Sequence, residues 1–113
     1  MMTLYGIKNC DTVRKARRWL EQADINYQFH DFRSEGLDAA LIQVWINALG
    51  WEALVNKRST TWRNLPEESK NSLSEKTVIG LLIEQPTLIK RPVLDKQGQI
   101  YLGFKEQDYQ QIF

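Results

Sequence analysis

Met2-Thr3-Leu4-Tyr5-Gly6-Ile7-Lys8-Asn9-Cys10-Asp11-Thr12-Val13-Arg14-Lys15-Ala16 is the stretch whose reading decides the fold. Residues 2–5 read as a short apolar strand ended by Gly6, residues 6–9 as a turn, and the remainder as the start of an amphipathic helix. Asp11 is a good N-cap. Val13, Ala16, Leu20 and Ala23 then recur at helical spacing, with Arg14, Arg17 and Arg18 on other faces, and Asp24 ends the helix. The sequence holds one cysteine, Cys10, and it falls where the strand-to-helix turn gives way to the helix. A thiol there faces the helix's unpaired N–H groups and the positive end of its dipole, which stabilise a thiolate.

Outward from this stretch, Tyr27, Phe29 and Asp31 alternate with Gln28 and His30 as a second strand, which completes a β-α-β unit. Leu37, Leu41, Val44, Trp45 and Ala48 give a helix closed by Gly50, and residues 51–55 a helical turn. Residues 58–65 show no clear period and read as loop. Residues 66–72 hold one helical turn. Ser74 caps a helix through Ile79, Leu82 and Ile83 that stops at Gln85-Pro86. Residues 92–95 and 100–104 flank the turn Lys96-Gln97-Gly98-Gln99 as a hairpin, and a short helix follows Lys105. The order β-α-β, helices, β-β-α predicts an α/β chain with a thioredoxin-like fold and an inserted helical lobe.

Composition narrows the function classes. At 113 residues the chain is expected to form one domain. Fifteen basic against fourteen acidic residues leave a formal charge of +1, so no global field recruits nucleic acid or an anionic membrane. No apolar run approaches the roughly 20 residues that span a bilayer. No secretory signal is visible, and one cysteine cannot form an intrachain disulfide, so a cytoplasmic location is expected. One Cys and one His fall short of the ligands a metal site needs. There is no Gly-rich phosphate loop and no catalytic serine motif.

Three segments carry a family resemblance: Tyr5-Gly6-Ile7-Lys8-Asn9-Cys10-Asp11-Thr12, Leu54-Val55-Asn56-Lys57-Arg58-Ser59-Thr60-Thr61-Trp62-Arg63, and Pro86-Thr87-Leu88-Ile89-Lys90-Arg91-Pro92-Val93-Leu94. Together they resemble the arsenate reductase (ArsC) family, in its YffB/Spx-like branch, over essentially the whole chain. The resemblance implies a thioredoxin-like core at about 1–34 and 86–113, a helical insertion at about 35–85, and a nucleophilic Cys10. It also implies an Arg91-Pro92 pair beside the cysteine, with the proline cis. Two departures weigh against arsenate as substrate. Asn56 stands where those reductases carry an arginine, and residues 99–104 offer no counterpart for a late one. At roughly 1.5–3 kcal/mol per charge-assisted bond, the loss is several kcal/mol of oxyanion binding. Spx-type redox switches carry a second cysteine where this chain has Val13, which excludes an internal disulfide switch.

The resemblance thus implies a thiol oxidoreductase in which Cys10 forms a mixed disulfide that an external thiol resolves. Glutathione is the expected co-substrate, with no tightly bound cofactor, and a protein disulfide is a further expected substrate. Arg91 would orient a glutathione carboxylate, the peptide group at Pro92 would offer backbone hydrogen bonds, and Asn9 and Thr12 would flank the sulfur. Lys8 and Arg14 are candidate helpers of the thiolate, whereas an inward Asp11 would oppose it. Arg58, Thr60, Thr61, Trp62 and Arg63 read either as a wall of the substrate cleft or as a surface loop anchored by a buried tryptophan. His30 reads as structural or solvent-facing. A monomer with no direct nucleic-acid or membrane contact is expected. The alternative is a non-enzymatic Spx-like regulator that binds RNA polymerase through a protein surface.

Overall fold

The computed structural model describes residues 2–113. The chain divides into two compact units, the segment ending at Glu35 together with Arg91–Phe113, and Gly36–Lys90. In the first unit β1 (Thr3–Gly6) and β2 (Gln28–Asp31) pair in parallel, Leu4 opposite Phe29 and Gly6 opposite Asp31. A parallel pair needs a crossover, and α1 (Asp11–Gln22) supplies it. β3 (Val93–Lys96) runs antiparallel to β1, and β4 (Gln99–Leu102) antiparallel to β3. The sheet order is β2-β1-β3-β4. Gln97 and Gly98 both take positive φ, 53° and 92°, as a two-residue hairpin turn requires. The architecture is thioredoxin-like, with the helical unit inserted along the chain between the β-α-β and β-β-α halves.

The core of this unit gathers Met2, Leu4, Ala16, Leu20, Leu94 and Tyr109. Tyr109, on α7 (Glu106–Ile112), meets Trp19 at 5.6 Å and Phe104 at 4.7 Å edge-to-face. Such pairs add about 0.5–1.5 kcal/mol each beyond area burial, and they fasten the last helix to α1 and to the segment that follows β4. Gly6 is the last residue of β1, as expected. Val13 of α1 packs so closely there that a Cβ on Gly6 would sit 2.8 Å from Val13 Cγ2. The glycine therefore sets how near α1 approaches the strand, and with it the turn that carries Cys10.

α1 differs from expectation at both ends. Cys10, not Asp11, is the N-cap, and Asp11 is the first helical residue. An Asp side chain in the first turn can pair with a cation one turn on, and Asp11 does so with Arg14. At the other end the helix stops at Gln22, and Asp24 lies beyond it with φ 55°.

In the second unit Asp38 caps α2 (Ala39–Leu49) by accepting from Leu41 N at 2.8 Å, and Gly50 closes it at φ 85°. α3 (Trp51–Leu54) follows. Residues 58–65, read from sequence as loop, contain a short helix, α4 (Thr60–Arg63). Ser59 Oγ accepts from Trp62 N at 3.1 Å and starts it, a cap too local to register as periodicity. α5 (Glu67–Asn71) and α6 (Glu75–Glu84) come next, α6 with a reciprocal Ser74–Thr77 capping box. Ile42, Trp45, Ile46, Val78, Leu82 and Leu88 are buried in this unit. No helix among the described residues is long and apolar enough to cross a membrane.

Candidate functional site

Cys10 sits where the β1-to-α1 turn becomes helix. The turn is fixed from both sides. Cys10 N donates to the Ile7 carbonyl at 3.2 Å, and the Cys10 carbonyl accepts the first helical bond from Arg14 N at 2.9 Å. Asp31, at the end of β2, holds the turn's flank by accepting from Lys8 N at 3.1 Å, Arg33 N at 2.9 Å and Ser34 N at 3.4 Å. Burial opposes its charge, yet these three N–H groups and the Arg33 charge leave its carboxyl below the usual carboxylate range. Sequence reasoning placed Asp31 in a strand and missed this role. The available signal was an Asp at a strand end followed by Phe-Arg-Ser, a pattern that favours side-chain-to-backbone turns.

As N-cap, Cys10 has extended backbone (φ −100°, ψ 127°), and its sulfur occupies the place of a serine or aspartate cap oxygen. No side-chain cap bond is closed, as suits a neutral thiol, which is a weak acceptor. The thiolate is a stronger one. Cys10 is half-buried, and burial opposes ionisation. The Val13 N–H, the Arg91 hydrogen bond and charge, and the Thr12 N–H outweigh it, so the thiol lies below its ordinary pKa. These two amides are the N2 and N3 groups of α1, the donors a cap exists to satisfy.

Arg91 and Cys10 are therefore brought together as expected, and the Arg91-Pro92 bond is cis. Pro92 is buried, and its carbonyl is taken by Gly103 N at 2.9 Å. Thr12 serves the sulfur through its backbone N–H. Asn9 and Lys8 are exposed in the turn. The expected help from Lys8 and Arg14 is corrected. The cation acting on the sulfur is Arg91, while Lys8 is held through its backbone and Arg14 is engaged by Asp11. Asp11 is exposed and turned to Arg14, which holds its carboxyl below the usual range, so it does not oppose the thiolate from within.

Arg58 belongs to the second unit. Its N–H donates to Asn56 Oδ1 at 3.1 Å, and its carbonyl accepts from Arg63 Nη2 at 3.0 Å. Asn56 also gives its N–H to the Leu88 carbonyl at 2.7 Å, so its polar groups serve the local turn. Trp62 is half-buried, not buried, with Lys57 and Lys70 ammonium groups 5.6 and 5.5 Å from its ring. His30 is half-buried against Tyr5, with ring centroids 5.1 Å apart. Among the described residues no cluster of His, Cys, Asp or Glu could hold a metal ion.

Comparison with known proteins gives a consistent result. The ArsC family model matches residues 5–112. An uncharacterized protein of Haemophilus influenzae is 51% identical, covering 100% of this chain and 99% of its own. A solved YffB protein structure superimposes with TM-score 0.93 at 41% identity, covering 98% of this chain and 97% of its own. A global transcriptional regulator Spx of Listeria innocua is 30% identical, covering 96% of this chain and 83% of its own.

Proposed function

The chain belongs to the ArsC family, and on that premise we propose that it is a glutathione-dependent thiol–disulfide reductase with a single nucleophilic cysteine. The observation that carries the reading is Cys10 at the N-cap of α1 with its thiol pKa lowered beside Arg91. A thiolate is the attacking species, and nucleophilicity is best when the pKa lies near ambient pH.

The cycle balances with two glutathione equivalents. The Cys10 thiolate attacks the glutathione sulfur of a substrate mixed disulfide. A Cys10–glutathione disulfide forms, and the substrate leaves as a thiolate that takes up a proton. A second glutathione thiolate then attacks the glutathione sulfur on Cys10. Glutathione disulfide leaves and the Cys10 thiolate returns. In sum the mixed disulfide and one free glutathione become the substrate thiol and glutathione disulfide, the second half of which is the glutathionyl group that the substrate brought. Arg91 stabilises Cys10 as attacking and as leaving thiolate, and together with Asn9, Thr12, Lys8 and the Pro92 segment it would hold the tripeptide.

Without a second cysteine the chain cannot resolve the intermediate itself. Arsenate is disfavoured, since Asn56 is neutral and is engaged by its own turn. In the test, Cys10→Ser abolishes reduction of a glutathionylated peptide by glutathione. Full activity in that variant rules the reading out. Identity to Spx supports a second reading, a regulator acting by protein contact. Absence of turnover combined with direct binding to RNA polymerase subunits would select it.

A further inference from the structure

The near-neutral charge of the chain conceals a local concentration. α1 holds four of the fifteen basic residues, Arg14, Lys15, Arg17 and Arg18, and two of the fourteen acidic ones, Asp11 and Glu21. The helix is thus net +2 and the remaining residues net −1. Arg14, Arg17, Arg18, Glu21 and Gln22 follow helical spacing and line one open groove of about 450 Å³. One of these arginines is pre-oriented. The Arg17 guanidinium lies 4.0 Å over the Phe29 ring, and its Nε donates to Tyr27 OH at 3.1 Å. A side chain already fixed loses less rotamer freedom when it meets a ligand. The groove begins with Arg14, one turn from Cys10 on the same helix.

We infer that the Arg14–Arg17–Arg18 face of α1 docks an acidic segment of the polypeptide whose disulfide Cys10 attacks. This rests on the thiol-exchange reading of Cys10, and it names the class of protein substrate. The charge complementarity is local. A polypeptide disulfide delivered to Cys10 brings its flanking residues to the start of α1, where acidic side chains meet the Arg17 and Arg18 guanidinium groups and that of Arg14, which is already paired with Asp11. A nucleic acid is a poorer occupant, because a continuous run of phosphates would also meet Asp11 and Glu21 against a net charge of only +2.

Two glutathionylated peptides, alike except for Glu or Lys residues flanking the modified cysteine, test the inference. Exposed charge pairs are each worth a factor of about two to five. The wild-type protein should therefore reduce the Glu peptide about tenfold more efficiently in kcat/KM at low ionic strength, with the ratio falling as salt rises. Arg18→Glu leaves the Arg17–Phe29 packing in place. It should remove most of the preference while reduction of the small glutathione–cysteine mixed disulfide is unchanged. Equal efficiency on both peptides in the wild type, or an undiminished preference in Arg18→Glu, overturns the inference. Binding of a fluorescent, disulfide-free Glu peptide to the Cys10→Ser protein separates the two claims. Binding lost on adding Arg18→Glu supports the docking face even where no disulfide is turned over. No binding to either protein counts against it.

Discussion

Gly6→Ala probes the contact that ties the sheet to the thiol. The new Cβ would meet Val13 Cγ2 at 2.8 Å and Cγ1 at 3.1 Å, and Val13 is fully buried. Overpacking of this kind costs about 1–3 kcal/mol. Reduced freedom of the unfolded chain returns about 0.4–1 kcal/mol, because Gly6 does not use positive φ. The middle of these ranges is a net loss of about 1.3 kcal/mol. At about 2.1 cal/mol/K per residue over 113 residues, the unfolding entropy near the midpoint is about 0.24 kcal/mol/K, so Tm should fall by about 5 °C. Val13→Ala alone should cost roughly 2–3 kcal/mol through lost methyl burial and the space left behind. In the double variant the methyl introduced by Gly6→Ala occupies part of that space, so the two losses should fall short of their sum by about 1–2 kcal/mol. Calorimetric scans of the four proteins measure this coupling. Because the Val13 N–H favours the Cys10 thiolate, Gly6→Ala should also raise the midpoint of thiolate absorbance against pH. Additivity of the two losses within about 0.5 kcal/mol, with the thiolate midpoint unmoved, would refute the reasoning.

Arg91→Met should raise the Cys10 pKa by removing a hydrogen bond and a positive charge, read as a shift of the thiolate absorbance midpoint. The sign of the stability effect follows. Folding holds the thiol pKa below its unfolded value of roughly 8.5, so the unfolded chain binds more protons in the interval between them. Stability therefore rises with pH across that interval and is lost as pH falls through the folded pKa, a rise that urea titrations should find smaller in Arg91→Met. Tyr109→Phe removes a buried hydroxyl that has no hydrogen-bond partner among the described residues, and should stabilise the protein by about 1 kcal/mol at neutral pH in urea titrations. Burial raises the Tyr109 pKa, so its neutral form contributes stability that declines as pH rises past roughly 10, and the Phe variant should lack that decline.

Much of this was legible in the sequence because the decisive signals are local. The apolar run of β1, the 3.6-residue spacing of Val13, Ala16 and Leu20, and the Gln97-Gly98 turn are each set by neighbours within a few residues. The position of Cys10 at a strand-to-helix turn followed from them. What escaped was decided by which atom faces which. Cys10 and Asp11 are adjacent, and either could have served as the cap. The close packing of Val13 on Gly6 and the hold of Asp31 on Lys8 place Cys10 at the cap. Of the three N–H groups gathered by Asp31, those of Arg33 and Ser34 follow β2 directly, while that of Lys8 lies across the whole β1-α1-β2 crossover, beyond the reach of any periodicity. Arg91 lies 81 positions from Cys10, and family resemblance, not spacing, linked the two.

The central claim is that Cys10 carries glutathione as a covalent intermediate that only an outside thiol can release. Rapid-quench intact-mass spectrometry during reduction of a glutathionylated peptide measures it directly. The prediction is one glutathione adduct, mapped to Cys10, that forms and decays fast enough to account for turnover and disappears in Cys10→Ser. Turnover with no adduct on Cys10, or an adduct that glutathione does not release, would contradict it.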